Sequence, residues 1–281
     1  MSRDSRSTSA RRPSSNRLKD QPILLVADST LKDAALAMLA DHSIHNVTVL
    51  HDPIDRFSRP KYETPDEREA RLAELHRAKA EADELICSTR WGVMISHYQE
   101  FLFKPNHLQT TLLPLNIHPS TETIPGMVYD TWPLVEGTAS TGEQGATLHF
   151  MTPGIDQGPI VRVLREPVAP DATYMTVRRR NQQLCMDQLR WLCGEIADAG
   201  DVETFEAHLM GTHRKAGYKW GTYVNTKQRD AKLLEIHRAN PNHPVLVGNA
   251  KFDKKLAWEE QKAAAKAAAS TPEQPVNIAF A

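Results

Sequence analysis

One stretch of the chain, residues 113–158, offers a carboxamide, an imidazole and a carboxylate near the ends of expected strands: Asn116, His118 and Asp156. Together they carry what acyl transfer to an amine requires. Charge develops on the acyl oxygen as the amine attacks, and one preorganised donor aimed at it is worth roughly 3–4 kcal/mol of barrier. The attacking amine must lose a proton and the leaving nitrogen must gain one. A carboxamide donates without changing charge. An imidazole exchanges protons near neutral pH, and a neighbouring carboxylate fixes its tautomer and charge. Asn116 and His118 stand two positions apart, so within a strand they share a face. The same residues also admit a structural account, in which Asn116 ends a strand, His118 satisfies a local hydrogen bond and Asp156 makes an Asx turn towards Gly158. Spacing alone leaves both accounts open.

These side chains need a scaffold, and the chain reads as alternating strands and helices. Ile23-Leu24-Leu25-Val26-Ala27 is a short apolar run stopping at Asp28-Ser29-Thr30, followed by a helical period over 31–40. Further strands are expected at 47–50, 84–88, 110–117, 145–151 and 159–164. A loop is expected over 52–63, and helices over 65–82, 96–103, 129–136 and 173–199. This order implies an α/β fold with a doubly wound, mostly parallel sheet. Sites in such sheets lie beyond the carboxyl ends of the strands, where Asn116 and His118 fall. After Asp201 the pattern weakens. Residues 217–226 are aromatic and turn-rich, 229–238 look helical, and 254–269 form an Ala/Lys/Glu helix with almost no apolar face, expected to face solvent. The expected divisions are a disordered basic arm (1–20), a catalytic domain (21–205), a small C-terminal extension (206–250) and an Ala/Lys-rich helical tail (251–281).

Composition narrows the class. The 281 residues are 40% hydrophobic and 25% charged, as in ordinary globular proteins, and are long enough to bury a core without staples. A net charge of −1 creates no global field towards nucleic acid or anionic membrane. Three cysteines without a CxxC pair argue against a disulfide framework or a zinc site and suit a reducing cytoplasm. No stretch is apolar enough for a membrane span, and the polar N-terminus lacks the apolar region of a secretory signal. The arginines of the arm read as a solvated tail rather than an RNA-binding element.

Four motifs in order resemble the folate-dependent formyltransferase family: Asn116-Ile117-His118-Pro119-Ser120, Trp132-Pro133-Leu134-Val135-Glu136-Gly137, Gly145-Ala146-Thr147-Leu148-His149-Phe150 and Gly154-Ile155-Asp156-Gln157-Gly158-Pro159-Ile160. That family includes glycinamide ribonucleotide, methionyl-tRNA and nucleotide-sugar formyltransferases. The resemblance covers roughly residues 23–192, with a weaker echo at 223–239. It implies a Rossmann-like doubly wound sheet, 10-formyltetrahydrofolate as formyl donor, and Asn116, His118 and Asp156 as the catalytic residues. It also implies a folate pocket built from the strand-end loop before the Asn-x-His motif and the loop around the catalytic Asp. These map onto Arg90, Met94 and Ile95 and onto Thr152, Gly154 and Ile155. His149, inside a strand, is expected to be structural.

Departures from the family bear on the acceptor. The first turn carries Asp28 where glycinamide ribonucleotide enzymes have a Gly/Ser-rich phosphate cradle, so that acceptor is disfavoured. After Leu192 the chain is too short for the basic barrel of methionyl-tRNA enzymes, so tRNA is not expected. Residues 121–126 replace the usual Leu-Leu-Pro segment, and Asp28, Glu122 and Asp130 are candidates to hold a cationic amine. The expected acceptor is a primary amine of a small molecule: an amino sugar, an amino acid derivative or a modified nucleoside. The alternatives are a hydrolase that deformylates the folate, disfavoured because little precedes the first strand, and a non-catalytic binding module. A homodimer is compatible with the sequence.

Overall fold

Ile23-Leu24-Leu25-Val26-Ala27 is apolar at every position because β1 (Ile23–Ala27) is covered on both faces, and all five residues are fully buried. The computed structural model describes residues 17–56, 63–135 and 142–269. After β1 come α1 (Lys32–Asp41), β2 (Val47–His51), the single turn α2 (Pro53–Arg56) and α3 (Pro65–Cys87). Next are β3 (Trp91–His97), the short α4 (Pro105–Gln109) and β4 (Thr111–His118). The hairpin β5 (Glu143–Phe150) and β6 (Ile160–Pro167) precedes four helices: α5 (Tyr174–Asp198), α6 (Val202–Ala216), α7 (Thr226–Ala239) and α8 (Ala250–Ala269).

The six strands lie in the order β2-β1-β3-β4-β5-β6. The first four run parallel, and β5 runs antiparallel to its two neighbours, β4 and β6. Alternation along β1 divides the core. Ile23, Leu25 and Ala27 pack with Leu39 of α1, Leu189 and Leu192 of α5, and Leu209 of α6. Leu24 and Val26 pack on the other face with Met94, Ala82 and Ile86. The fold is therefore α/β, with helices on both faces of a mostly parallel sheet. Leu18, in a single helical turn before β1, is fully buried in the first of these clusters. Residues 1–16 of the expected basic arm and 270–281 of the tail lie outside the described residues.

Several elements differ from the sequence reading. The strand expected at 84–88 is the last turn of α3. Its run Leu85-Ile86-Cys87 suits either a strand or a buried helix face, and periodicity cannot separate the two. Packing decides: Ala82 and Ile86, four apart on one helix face, bury against Leu24, Val26 and Met94. Burying such an isoleucine contributes roughly 2 kcal/mol, more than the ~1 kcal/mol span of strand propensity. Thr64 starts α3 by accepting from Glu67 N–H while the Glu67 carboxylate returns to Thr64 N–H. The third strand follows at β3, so the helix expected at 96–103 is instead the end of β3 and a loop. The helix expected over 129–136 reduces to one tight turn, Trp132–Leu134; Glu136 and Gly137 lie outside the described residues, as does half of the loop expected over 52–63.

α6 was not legible as a helix, although its signals are present. Asp201 accepts from Thr204 N–H at the start, and Gly217 takes the left-handed conformation, φ 66°, at the end. The solvent-facing helix expected at 254–269 also needs correction. It begins at Ala250, and its first turns put Phe252 and Leu256 into a cluster with Val135, Leu233, Val245 and Leu246. No helix among the described residues is long and apolar enough to cross a membrane.

Candidate active site

Asn116 and His118 sit at the carboxyl end of β4, on one face of the strand. Register supplies their neighbours. Ser96 of β3 lies beside Asn116, and His149 of antiparallel β5 lies beside it on the other side. The turn between β5 and β6 then delivers Asp156, whose φ of 47° is left-handed. Asp is among the few side chains that tolerate this region. The conformation aims the carboxylate between two imidazoles: Asp156 Oδ2 is 3.4 Å from His118 Nδ1, and Oδ1 is 3.4 Å from His149 Nε2. Gly126 N–H donates to Oδ2 at 2.7 Å. Gly126 has φ 92°, a conformation that favours glycine, and a Cβ there would also have to displace the exposed Tyr223 ring 2.5 Å away.

Backbone carbonyls assign the protons on both rings. His118 Nε2 is 2.8 Å from Ile124 O, and a carbonyl only accepts, so this nitrogen carries hydrogen. In the neutral ring the lone pair is then on Nδ1, facing Asp156. His149 Nδ1 donates to Phe150 O at 2.8 Å, which leaves its Nε2 lone pair for the Asn116 amide, 2.9 Å away. His149, expected to be purely structural, is thus part of the polar cluster. Both rings are almost wholly buried. Trp220 closes over them edge-on, with ring centroids 4.9 Å from His149 and 5.9 Å from His118, and its Nε1–H donates to Gly158 O. The sequence marked the Trp220 segment only as aromatic and turn-rich; that density of aromatics was the available signal.

These groups form the floor of a cavity of about 330 Å³. Its walls include Phe101, Phe103, Met127 and Met151. A polar floor under apolar walls is the usual form of a small-molecule site. Here a buried donor, a proton acceptor and a carboxylate meet at one point, which suits transfer of an acyl group between nitrogens. A family model described as formyl transferase matches residues 40–189, more than half of the chain.

The chain belongs to the formyl transferase family.

As a formyltransferase it can be set beside solved structures. The N-formyltransferase from Helicobacter canadensis, in complex with folinic acid and dTDP-3-aminofucose, is 14% identical with a TM-score of 0.50; the match covers 73% of this chain and 71% of that one. A 4-N formyltransferase from Francisella tularensis is 15% identical over 75% and 78% of the two chains, with a TM-score of 0.49. A formyltransferase from Anoxybacillus kamchatkensis is 15% identical over 79% and 95%, with a TM-score of 0.48. The first of these agrees with the α/β fold described above. No curated protein matches the sequence.

Of the residues expected in the formyltransferase's folate pocket, Thr152, Gly154 and Ile155 line the cavity. Arg90, Met94 and Ile95 do not. Arg90 is exposed just before β3, at the far end of the strand, and Met94 and Ile95 are fully buried within it. Placing the third strand one element too early put its end loop at 90–96. The loop that reaches the cavity runs from Ser96 to Phe103.

The acidic candidates for an amine site are all engaged within the chain. Asp28 Oδ1 accepts from Thr30 N–H at 3.1 Å and Leu31 N–H at 3.0 Å. Glu122 pairs with Arg165, and Asp130 pairs with Arg178 at 3.2 Å. Burial pushes the Asp130 carboxyl up to about 6 despite the opposing charge of Arg178.

Within the cluster, burial alone would raise the Asp156 carboxyl. The charge of His118, the contacts to His149 and the Gly126 N–H outweigh it and hold Asp156 below the usual carboxylate range. Burial lowers His118 below its ordinary 6.5, more than Asp156 raises it. The ring is therefore neutral at neutral pH and gains its second proton only as pH falls. The acid limb of the kcat/KM profile is expected below pH 6.5, the ordinary imidazole value. An acid limb centred above that value, measured with a pH-independent substrate, would contradict a buried neutral His118.

Proposed function

We propose that this formyltransferase moves a formyl group from 10-formyltetrahydrofolate to the primary amine of an amino sugar, with Asn116, His118 and Asp156 carrying the chemistry. The observation that carries this reading is the meeting of the three side chains on the floor of one cavity. That cavity fits the donor in kind: apolar walls from Phe101, Phe103 and Met151 can flank a flat ring system, and Thr152 and Gly154 offer polar groups at its edge. When bound, the folate supplies the formyl carbon and the leaving nitrogen.

The chain's own groups divide the remaining work. Asn116 holds one N–H towards the oxygen that gains charge. His118 takes the amine's proton at Nδ1, where Asp156 at 3.4 Å stabilises the resulting cation, and gives that proton to the leaving nitrogen as its bond to the formyl carbon breaks. Asp156 stays ionised at neutral pH because its carboxyl is held below the usual carboxylate range, and Gly126 N–H donates to it. The apolar walls keep water from competing with the amine.

Two further points support the acceptor class. The folinic acid and dTDP-3-aminofucose held by the Helicobacter canadensis enzyme are a folate and an amino sugar. The turn at Asp28 opposes a phosphate there, because its carboxylate already occupies the Thr30 and Leu31 N–H groups at the start of α1. Purified protein incubated with 10-formyltetrahydrofolate and a panel of amines tests the reading. Tetrahydrofolate release is expected with free or nucleotide-linked amino sugars and not with glycinamide ribonucleotide. Formate release without any amine would make the protein a hydrolase, and no turnover across amino sugars, ornithine-like amines and aminated nucleosides would remove the proposal.

A further inference from the structure

A single row of hydrogen bonds crosses three strands beneath the cavity. Phe101 N–H donates to Gln99 Oε1. Gln99 Nε2 is 2.6 Å from Ser96 Oγ, and Ser96 Oγ is 2.6 Å from Asn116 Oδ1. Asn116 Nδ2 is 2.9 Å from His149 Nε2, and His149 Nδ1 is 2.8 Å from Phe150 O.

The direction of this row is set independently at its two ends, because a backbone N–H only donates and a backbone carbonyl only accepts. From the first end, Phe101 N–H demands the oxygen of Gln99, so the Gln99 amino group faces Ser96. Ser96 then accepts from Gln99 and must give its single hydrogen to Asn116 Oδ1. That turns the Asn116 amino group towards His149. From the other end, Phe150 O demands a hydrogen on His149 Nδ1, which leaves a lone pair on Nε2 of the neutral ring. The two constraints meet at Asn116 and agree. One of its N–H bonds goes to His149, and the second is left for the cavity that Asn116 lines.

We infer that Ser96 and Gln99 are positioning residues that lock the Asn116 carboxamide in its donating orientation. The inference rests on the role proposed above for Asn116. A primary amide has nearly the same shape after a 180° flip, so packing cannot choose between its two orientations and only the hydrogen-bond row can. A flipped Asn116 would set its amino group against the Ser96 hydroxyl hydrogen and its oxygen against the His149 Nε2 lone pair, and would misplace the N–H needed where charge develops.

The test reads kcat against KM in the full chain. Ser96→Ala is expected to lower kcat by about 10–100-fold, as for a misplaced catalytic group, while the donor KM stays within about threefold. In an Asn116→Ala background the Ser96→Ala change is expected to cost nothing more, because the group it orients is gone. Gln99→Glu gives an independent reading on the loop, should Ser96→Ala weaken the fold in a thermal melt. Its carboxylate still accepts from Phe101 N–H but cannot donate to Ser96, so the Ser96 hydrogen turns away from Asn116. Gln99→Leu removes the bonds without reversing the row. The expected order of kcat is therefore wild type, then Gln99→Leu, then Gln99→Glu. Multiplying losses in the Ser96/Asn116 pair, or a Gln99→Leu protein slower than Gln99→Glu, would overturn the inference. Asn116→Ala with wild-type kcat would instead remove the role of Asn116 itself, a separate and visible failure.

Discussion

Asn116→Ala is expected to lower kcat by about 10²–10³-fold with little change in the KM for the folate donor. The magnitude is that of losing one oxyanion donor, roughly 3–4 kcal/mol. The side chain is anchored on both sides, to Ser96 at 2.6 Å and His149 at 2.9 Å, so it is held before substrate arrives and needs no reorganisation during the reaction. Ground-state binding depends on the cavity walls, which the change leaves in place. Removal from kcat alone is the mark of an interaction made in the transition state. A variant with kcat within threefold of wild type, at saturating donor and acceptor, would remove Asn116 from the chemistry.

Asp156→Asn is expected to lower kcat by about 10²–10⁴-fold, the range for general acid–base groups, while the protein remains folded. Asparagine tolerates the left-handed φ of 47°, so the turn survives. Gly126 N–H keeps an amide oxygen at the Oδ2 position facing His118, which loses its countercharge. The amino group then falls at the Oδ1 position, facing His149 Nε2, and competes with Asn116 for that lone pair. One atom changed in the carboxylate thus disturbs both the base and the donor. Rates at saturation, with circular-dichroism melts at neutral pH, check the two halves of the expectation. The same carboxylate contributes to stability through its depressed pKa. That contribution is complete above the ordinary 3.8 and is lost as pH falls through the lower folded value. Acid unfolding of the variant is therefore expected to depend less on pH in that region than wild-type unfolding.

Much of the fold was legible because its signals are local. The five apolar residues of β1, the helix start at Pro65 of α3, and the long period of α5 depend on neighbours within a turn or two. Where a short apolar run had two readings, as at Leu85-Ile86-Cys87, the choice fell to packing against Leu24 and Met94, which are distant in sequence. That one ambiguity moved the third strand and carried the cavity-wall assignment to Met94 and Ile95 instead of the 96–103 loop.

The sequence by itself determined the α/β class, the position of Asn116 and His118 at a strand end, the turn that holds Asp156, and the motifs of the family. Each is a matter of residue type, period or order along the chain. Tertiary structure alone decided that His149 stands beside Asn116, that Ser96 stands on its other side, that Gly126 anchors Asp156, and that Trp220 covers both imidazoles. These depend on which strands pair, in which direction and in which register. A period of two shows which face a side chain takes, and only the packed sheet shows what lies next to it.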